Sequence, residues 1–337
     1  MTFLIQQTLI YAIPLMIVAL AGVFAERSGI INLALEGIMI FGAFIGVLFV
    51  REVQQLEVFQ LAKEMDNYLA LQGLELMAMA AAAVMGAIFS LLLSFASVNL
   101  RADQTIGGTA LNLMAPAIVL FFIRIIANQN TMTMASGDSA SWFMIKKAMF
   151  GYGRTDKMGF LGSTFIDKTY LATYVCILLF VILSIILYKT RFGLRLMACG
   201  EHPQAADSVG INVYKMRYAG VIISGALGGL GGLIYIAAAN STWHFDVGVA
   251  GAGFLALAVM IFGQWKPIRI ALAALLFGLF RALSNVYLGI DWLANIGISG
   301  TVYNMLPYIV SLIVLAFTSK KSRAPKAEGI PYDKGMR

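Results

Sequence analysis

The chain of 337 residues is 60% hydrophobic and 12% charged, and its mean hydropathy is +0.83. A soluble domain needs a more polar surface than this composition supplies, which excludes an ordinary soluble enzyme or binding module. The formal net charge of +7 does not indicate nucleic-acid binding, because the basic residues flank apolar segments and no known basic and aromatic nucleic-acid-binding module is present.

Long apolar windows recur along the whole chain. They lie near 3–24, 30–50, 74–97, 105–127, 169–188, 218–239, 249–263, 268–288 and 302–318. Because backbone polar groups must be satisfied inside hydrocarbon, these windows predict helices, and the fold class is an all-α polytopic membrane protein with about nine (about 8–10) transmembrane helices. The second and seventh windows are short and glycine-interrupted, which predicts two discontinuous or re-entrant segments.

Charge in the loops predicts the orientation. The loop 189–217, the short loop with Lys266 and Arg269, and the tail after Ser319 are rich in basic residues, so the positive-inside rule places them in the cytoplasm. The segments 51–73 and 128–168 and the N-terminus then lie outside. No linker divides the chain, and we predict one transmembrane domain over 1–318 and a basic cytoplasmic tail over 319–337.

The second window carries polar residues in the sequence ERSGIINLALEG. Asn32 and Glu36 are four residues apart and share a face if the helix has begun by Asn32. A carboxylate at membrane depth costs a few kcal/mol unless it is paired or faces water. One interpretation is the polar lining of a solute path; the alternative is an interfacial loop in which Glu36 caps or pairs structurally.

The fourth window begins with a polar stripe in RADQTIGGTALNLMAP. Gln104, Gly108 and Asn112 repeat at four-residue spacing, with Thr105 and Thr109 beside them. Such a stripe must face protein or a cavity rather than lipid, so it indicates either a path lining or interhelical hydrogen bonding.

The segment NSTWHFDVG, before the seventh window, mixes flat rings with hydrogen-bonding groups. Its candidate contacts are Asn240, Trp243, His244 and Phe245, which suit a planar or ring-shaped small solute. The alternative is an aromatic belt at the outer membrane surface. Arg281, inside the eighth window, either pairs within the bundle or faces water.

Two further segments have structural interpretations. The glycines of GALGGLGGL form small-xxx-small pairs that favour close helix packing: Gly225, Gly228, Gly229 and Gly232. In the loop 189–217, HPQAADSVGI predicts a short helix with Pro203 in its first turn and Gly210 as its stop. This helix either docks a cytoplasmic partner or lies on the membrane surface without one. No phosphate-binding loop, metal-binding motif or catalytic motif is present.

The chain resembles the permease subunits of bacterial ABC importers, in the branch that contains the ribose, branched-chain amino acid and nucleoside systems. The resemblance runs from about residue 8 to 318 and is strongest over RFGLRLMACGEHPQAADSVGINVYKMRYAGVIISGALGGLGG. The segments ERSGIINLALEGIM, LRADQTIGGTALNL and GFLALAVMIFGQWKP are most similar to the nucleoside permeases, also called simple sugar permeases.

The resemblance implies a multi-pass subunit of the bacterial cytoplasmic (inner) membrane that forms half of a path for nucleosides or related sugars and bases. Its partners would be a second related permease, an ABC ATPase that holds ATP and magnesium, and an extracytoplasmic substrate-binding lipoprotein. The residues expected to couple to the ATPase are Glu201, His202, Pro203, Gln204, Ala205, Ala206, Asp207, Ser208, Val209 and Gly210. The chain itself would carry no cofactor, metal or catalytic residue. The alternatives are an ion-coupled secondary transporter and an ABC permease for a sugar such as ribose.

Overall fold

The computed structural model describes residues 2–65, 67–133, 143–153, 159–237, 242–244, 248–287, 300–318 and 324–335. Its helices are α1 (Thr2–Arg27), α2 (Leu35–Val53), α3 (Glu57–Glu64), α4 (Tyr68–Ser94), α5 (Gln104–Ala127), α6 (Phe160–Phe165), α7 (Leu171–Lys189), α8 (Arg191–Glu201), α9 (Pro203–Ser208), α10 (Val213–Ala237), α11 (Ala252–Phe262), α12 (Pro267–Val286) and α13 (Gly300–Thr318). Two antiparallel pairs of short strands join β1 (Thr131–Thr133) to β4 (Thr242–His244), and β2 (Met144–Ile145) to β3 (Thr169–Tyr170).

Six helices in the described part of the chain are long and apolar enough to cross a membrane. They are α1, α4 with its continuation to Asn99, α5, α7, α10 and α12, and α11 is a shorter apolar helix. Each comes from an apolar window of the sequence, because the long unbroken runs leave the helix as the structure that satisfies every backbone group. The chain is therefore an all-α polytopic membrane protein.

The helices α1 and α10 form the centre of the bundle. In their most apolar windows, 83% of α1 and 72% of α10 are buried, compared with 22% of α5 and 28% of α7. Helix α1 packs against α10, α11 and α12, and α10 packs against α2 and α4 as well. The peripheral helices turn apolar side chains outward, as lipid or a second membrane subunit requires.

Glycines let α10 approach its neighbours at backbone distance. Its four predicted packing glycines all lie on buried positions: Gly225, Gly228, Gly229 and Gly232. A Cβ on Gly229 would lie 2.3 Å from the Ala82 carbonyl oxygen, and a Cβ on Gly42 of α2 would lie 2.2 Å from the Gly229 Cα. A Cβ on Gly232 would lie 2.1 Å from the Met39 carbonyl oxygen. These contacts exclude any side chain at Gly229 and Gly232 without movement of the helices.

Contacts between distant segments define the two ends of the bundle. At one end Arg27 pairs with Glu201 at 3.0 Å, and Arg101 pairs with Asp333 at 2.5 Å. The positive-inside rule predicts that this end, which carries the basic loops and the tail, is cytoplasmic, and we call it the cytoplasmic face. At the opposite end, the outer face, the Gln6 side chain donates hydrogen bonds to the backbone of 163 and 167, and β1 pairs with β4.

Candidate functional site

A break in the helical structure precedes α11. Ala250 and Gly251 have positive φ angles of 52° and 75°, so the chain turns sharply before the helix begins at Ala252. The helix has 11 residues and rises about 16 Å, roughly half of a hydrocarbon core about 30 Å thick. The predicted discontinuous seventh segment is thus a half-length helix whose N-terminus lies inside the bundle.

Glu36, in the first turn of α2, caps this N-terminus. Its Oε1 accepts a hydrogen bond from the Gly251 backbone N–H at 2.9 Å, and its Oε2 accepts one from Gly253 at 2.6 Å. A Cβ on Gly253 would lie 2.5 Å from the Glu36 Cα, so glycine is required for this approach. A carboxylate at a helix N-terminus satisfies free N–H groups and complements the helix dipole. The two broken segments that the sequence predicted are therefore in direct contact.

The second broken segment differs in detail from its prediction. Helix α2 is continuous over 19 residues, and the irregular part is the stretch before it, residues 28–34. Asn32 lies in that stretch, so it does not share a helix face with Glu36. Its Nδ2 donates to the Ser224 Oγ at 2.9 Å, and its Oδ1 accepts from the Ala34 N–H at 3.1 Å. Asn32 thus links the irregular stretch to α10.

The polar stripe at the start of α5 contacts the same stretch. The Gln104 Oε1 accepts from the Ile31 N–H at 2.7 Å. Asn112 accepts from the Gly37 N–H at 2.8 Å and donates to the Leu33 carbonyl oxygen at 2.6 Å. These two residues therefore face protein backbone.

Thr105 and Thr109, also on α5, are exposed on another face of the helix. Thr105, which the sequence predicted to line the path, is therefore exposed on the surface of this chain. A path role for Thr105, Gln104 and Asn112 stays a prediction.

The aromatic segment before α11 is partly described. Residues Trp243 and His244 lie in β4, opposite Met132 and Thr131 of β1, which follows the outer end of α5. This pairing places their backbone at the outer face, beside β1. Asn240 and Phe245 lie outside the described residues, so their predicted contacts with a solute stay predictions.

Tyrosines surround Arg281 in the structure, and the sequence did not predict this group. Tyr11, Tyr235 and Tyr308 line a small cavity together with Arg281, beside Ala250 and Ala252 at the broken turn. The rings of Tyr11 and Tyr235 are 6.3 Å apart, and the Asn285 side chain donates to the Tyr11 hydroxyl at 2.5 Å. The tyrosines come from α1, α10 and α13, so the single cue in the sequence was the arginine inside an apolar window.

The predicted short helix of the loop 189–217 is present as α9. It begins at Pro203, where a missing N–H costs nothing, and the chain reverses at Gly210 with φ of 84°. Pro203 and Ala206 face inward and are buried, whereas the other face is exposed to solvent: Gln204, Ala205, Ser208 and Val209. Val209, at the end of this face, is 75% exposed.

Several contacts hold this loop against the bundle. Glu201 pairs with Arg27, and the Thr190 Oγ1 accepts a hydrogen bond from Gly193 at the start of α8. A Cβ on Gly200 would lie 2.4 Å from the Arg27 carbonyl oxygen, so α8 approaches the end of α1 at backbone distance. The outward face of α9 is left available, while its inward face is fixed.

Carboxylates cluster at the C-terminal end of α1, on the cytoplasmic face of the bundle. The Trp265 Nε1–H donates to the Glu26 Oε2 at 2.5 Å. Burial raises the pKa of Glu328, in the tail, to about 7, although the nearby Arg27 guanidinium acts to lower it. The tail therefore places an ionisable group beside the Arg27 and Glu201 pair.

Comparison with known proteins gives a family for the whole chain. Residues 4–317 match the family described as the permease component of branched-chain amino acid transport systems. No solved structure matches the chain.

Three relatives named for transport functions are similar over most of their length. The nucleoside ABC transporter permease NupC of Lactococcus lactis is 39% identical over 98% of this chain and 96% of its own length. The guanosine ABC transporter permease NupQ of Bacillus subtilis is 40% identical over 100% of this chain and 98% of its own. A second nucleoside permease of the same Lactococcus strain, NupB, is 23% identical over 94% and 80%. The chain belongs to the permease family of the branched-chain amino acid transport systems, whose members here include ABC transporter permeases.

Proposed function

We propose that this chain is the permease subunit of an ABC importer in the bacterial cytoplasmic (inner) membrane and forms half of a path for nucleosides. The observation that carries the proposal is the full-length similarity, at 39% and 40% identity, to permeases named for nucleosides and guanosine. The three segments of the sequence that resemble nucleoside permeases build the irregular stretch before α2, the start of α5 and the broken helix α11.

The proposed transmembrane domain has about nine crossings. Besides the six long apolar helices, three further crossings are proposed. They are formed by α2, by α13, and by α11 together with the segment before it. Helix α2 has 19 residues and carries three charged residues, Glu36, Arg51 and Glu52. Helix α11 supplies half of a crossing.

A second, related permease completes the proposed path. Two permeases in one Lactococcus strain, NupB and NupC, are both similar to this chain, which favours a pair of different subunits. Helix α5 offers a surface for such a partner, because Ile106 and Leu113 are 70% and 74% exposed beside the polar Thr105 and Thr109. The extracytoplasmic binding lipoprotein would contact the outer face, near β1 and β4.

The ATPase is proposed to seat on the exposed face of α9. Closure of that ATPase on ATP and magnesium would move α9 and shift the bundle between outward and inward access. Because the external binding protein would supply affinity and hydrolysis would supply direction, the path needs only weak solute contacts. The flat rings and hydrogen-bonding groups of Tyr11, Tyr235 and Tyr308 suit passage of a nucleoside beside the broken helix.

Reconstituted uptake tests this function. Proteoliposomes would contain this chain, its partner permease, the ATPase and the binding protein, and would be supplied with labelled guanosine. We expect uptake that requires ATP and every subunit. Uptake by this chain alone, driven by a proton or sodium gradient, would instead establish an ion-coupled secondary transporter.

Competition identifies the solute class. Unlabelled nucleosides should block guanosine uptake, whereas free ribose and free nucleobase should not. Block by ribose with no block by nucleosides would assign the path to a sugar and reject the nucleoside proposal.

A further inference from the structure

The C-terminal tail folds back onto the cytoplasmic face. The Ala327 N–H donates to the Gly200 carbonyl oxygen, at the end of α8, at 2.8 Å. The Arg217 Nη1, in the first turns of α10, donates to the Ile330 carbonyl oxygen at 3.0 Å. Residues 324–335, which we call the tail segment, are therefore part of the folded structure rather than a free basic extension.

Tyr332 of the tail segment packs behind α9. Its side chain is 4% exposed and lies in one apolar cluster with Cys199, Ala206 and Val213. Ala206 belongs to the inward face of α9, opposite the exposed face that ends at Val209. The Tyr332 ring also lies 5.4 Å from that of Tyr214, at 61°. The tail thus forms part of the surface against which the inward face of α9 packs.

Asp333 fixes the other end of the tail segment. Its Oδ2 accepts from the Arg101 Nη1 at 2.5 Å, and Arg101 lies in the turn between α4 and α5. Arg101 has a φ of 53°, so this turn holds a conformation that non-glycine residues rarely adopt. The ion pair is the contact in the described residues that ties the tail to the start of α5.

Arg217 explains why the tail stays attached. Its side chain is 1% exposed, and its guanidinium lies 6.0 Å from the Tyr332 ring centroid. Within the described part of the chain its Nε and Nη2 have no hydrogen-bond partner, so the Ile330 carbonyl and the Tyr332 ring are its main stabilising contacts. A buried cation is costly without such partners, and loss of the tail would leave it without them.

We propose that the tail segment is a positioning element for α9, which ties the coupling helix to the starts of α5 and α10. This proposal rests on the proposed function, in which α9 receives the motion of the ATPase. Because Tyr332 contacts α9 and Arg217 while Asp333 holds Arg101, displacement of α9 reaches both helices through the tail. The tail acts through α9 and does not itself bind the solute.

The test uses the complete importer in proteoliposomes and compares nucleoside transported per ATP hydrolysed. The Asp333→Arg variant places two cations together, and we expect this ratio to fall by about fivefold, the upper end of what an exposed ion pair contributes. ATPase association should be unchanged, since the exposed face of α9 is intact. The double variant Arg101→Asp with Asp333→Arg should restore the ratio, which a general loss of folding would not allow.

Matched variants keep the test falsifiable. Lys334→Asp reverses the charge of the next residue, which is exposed, and should match the wild type. Asp333→Asn removes the charge of Asp333 without adding repulsion, and it replaces Asp333→Arg in the measurement if that variant does not insert into the membrane. A wild-type ratio in both Asp333 variants, or no recovery in the double variant, would overturn the proposal.

A distance measurement separates this proposal from the identity of the solute. Spin labels at Ser208→Cys and Thr105→Cys report the position of α9 relative to α5. Labelling should be confined to these two positions, because both native cysteines are buried. We expect a broader distance distribution in Asp333→Arg and a narrow one in the charge-swapped double variant. An unchanged distribution would overturn the tail's role even if nucleoside uptake is confirmed. The expected change would support it even if the solute proves to be a sugar.

Discussion

Glu36 and Gly253 are hydrogen-bonded at 2.6 Å, although they are 217 residues apart in the sequence. One carboxylate oxygen accepts a hydrogen bond from the N–H of Gly253 and the other accepts one from that of Gly251, so α2 holds the N-terminus of α11. A helix that begins inside a bundle leaves free N–H groups, and a carboxylate is the side chain best suited to satisfy them. The cost of a carboxylate at this depth is offset by that cap, and the broken helix depends on it.

Glu36→Ala should destabilise the protein and abolish uptake. It would leave two backbone N–H groups of α11 without their acceptor, at a cost of at least about 2 kcal/mol in the free energy of unfolding. Reversible unfolding in mixed detergent micelles measures this difference.

Glu52→Ala is the matched control for Glu36→Ala. Glu52 lies at the other end of α2, its side chain is 61% exposed, and its contact with Arg51 is 3.7 Å long. We expect a change of less than about 0.5 kcal/mol. Equal effects of the two substitutions would show that the cap is not what stabilises the broken helix.

Gly229→Ala should push α10 away from α2 and α4. The added Cβ would lie 2.3 Å from the Ala82 carbonyl oxygen, and backbone atoms cannot rotate aside as a flexible side chain can. Overpacking of this kind costs about 1–3 kcal/mol. The thermal unfolding midpoint in detergent should fall accordingly.

Gly73→Ala provides the opposite expectation within α4. Apart from its own chain neighbours and helix backbone, no atom lies within 4 Å of a Cβ placed on Gly73. Alanine there should raise stability by about 0.5–1 kcal/mol, because glycine is the more flexible residue in the unfolded chain. If Gly229→Ala proved as well tolerated as Gly73→Ala, then α10 would not pack against α2 and α4 as closely as described.

Val209→Asp should weaken capture of the ATPase without affecting membrane insertion. Val209 is 75% exposed at the end of α9, so a carboxylate there has water around it and leaves the fold intact. It would place a desolvated charge in the proposed ATPase contact, and we expect at least about a tenfold loss of affinity. Pull-down of the ATPase by the detergent-solubilised permease measures it.

Val58→Asp makes the same chemical change at the opposite end of the molecule. Val58 lies in α3 and is 69% exposed. Its ATPase capture should equal that of the wild type. Full capture by Val209→Asp as well would remove α9 from the docking surface.

Glu328→Gln should remove a pH dependence of stability. Burial raises the pKa of Glu328 from 4.5 to about 7, so between these values the folded protein holds a proton that the unfolded chain releases. Stability contributed by this group is present below about pH 4.5 and is lost as pH rises through about 7.

The pH prediction is measured as a difference between wild type and variant. From about pH 5 to about pH 8, the unfolding midpoint of the wild type should fall relative to that of Glu328→Gln. Taking the difference removes the contributions of titrating groups that do not interact with Glu328. Parallel curves for the two proteins would mean that Glu328 is as well solvated in the folded state as in the unfolded state.

The sequence by itself determined the class of the protein and its helical segments. Long apolar runs leave the helix as the structure that satisfies every backbone group in hydrocarbon, so each window became a helix. The short α9 was also predictable, because Pro203 and Gly210 act through local backbone geometry. The break before α11 was visible for the same reason, as glycines and a short apolar run.

The tertiary structure decided which groups meet. Periodicity could not show that Glu36 caps α11, that Asn32 precedes the helix rather than sharing its face, or that tyrosines from three helices surround Arg281. It also gave no sign that Tyr332 and Asp333 would fold a basic tail beneath α9. A hydrogen bond or ion pair depends on the position of a distant partner, and that position is set by how the helices pack rather than by the residues next in the chain.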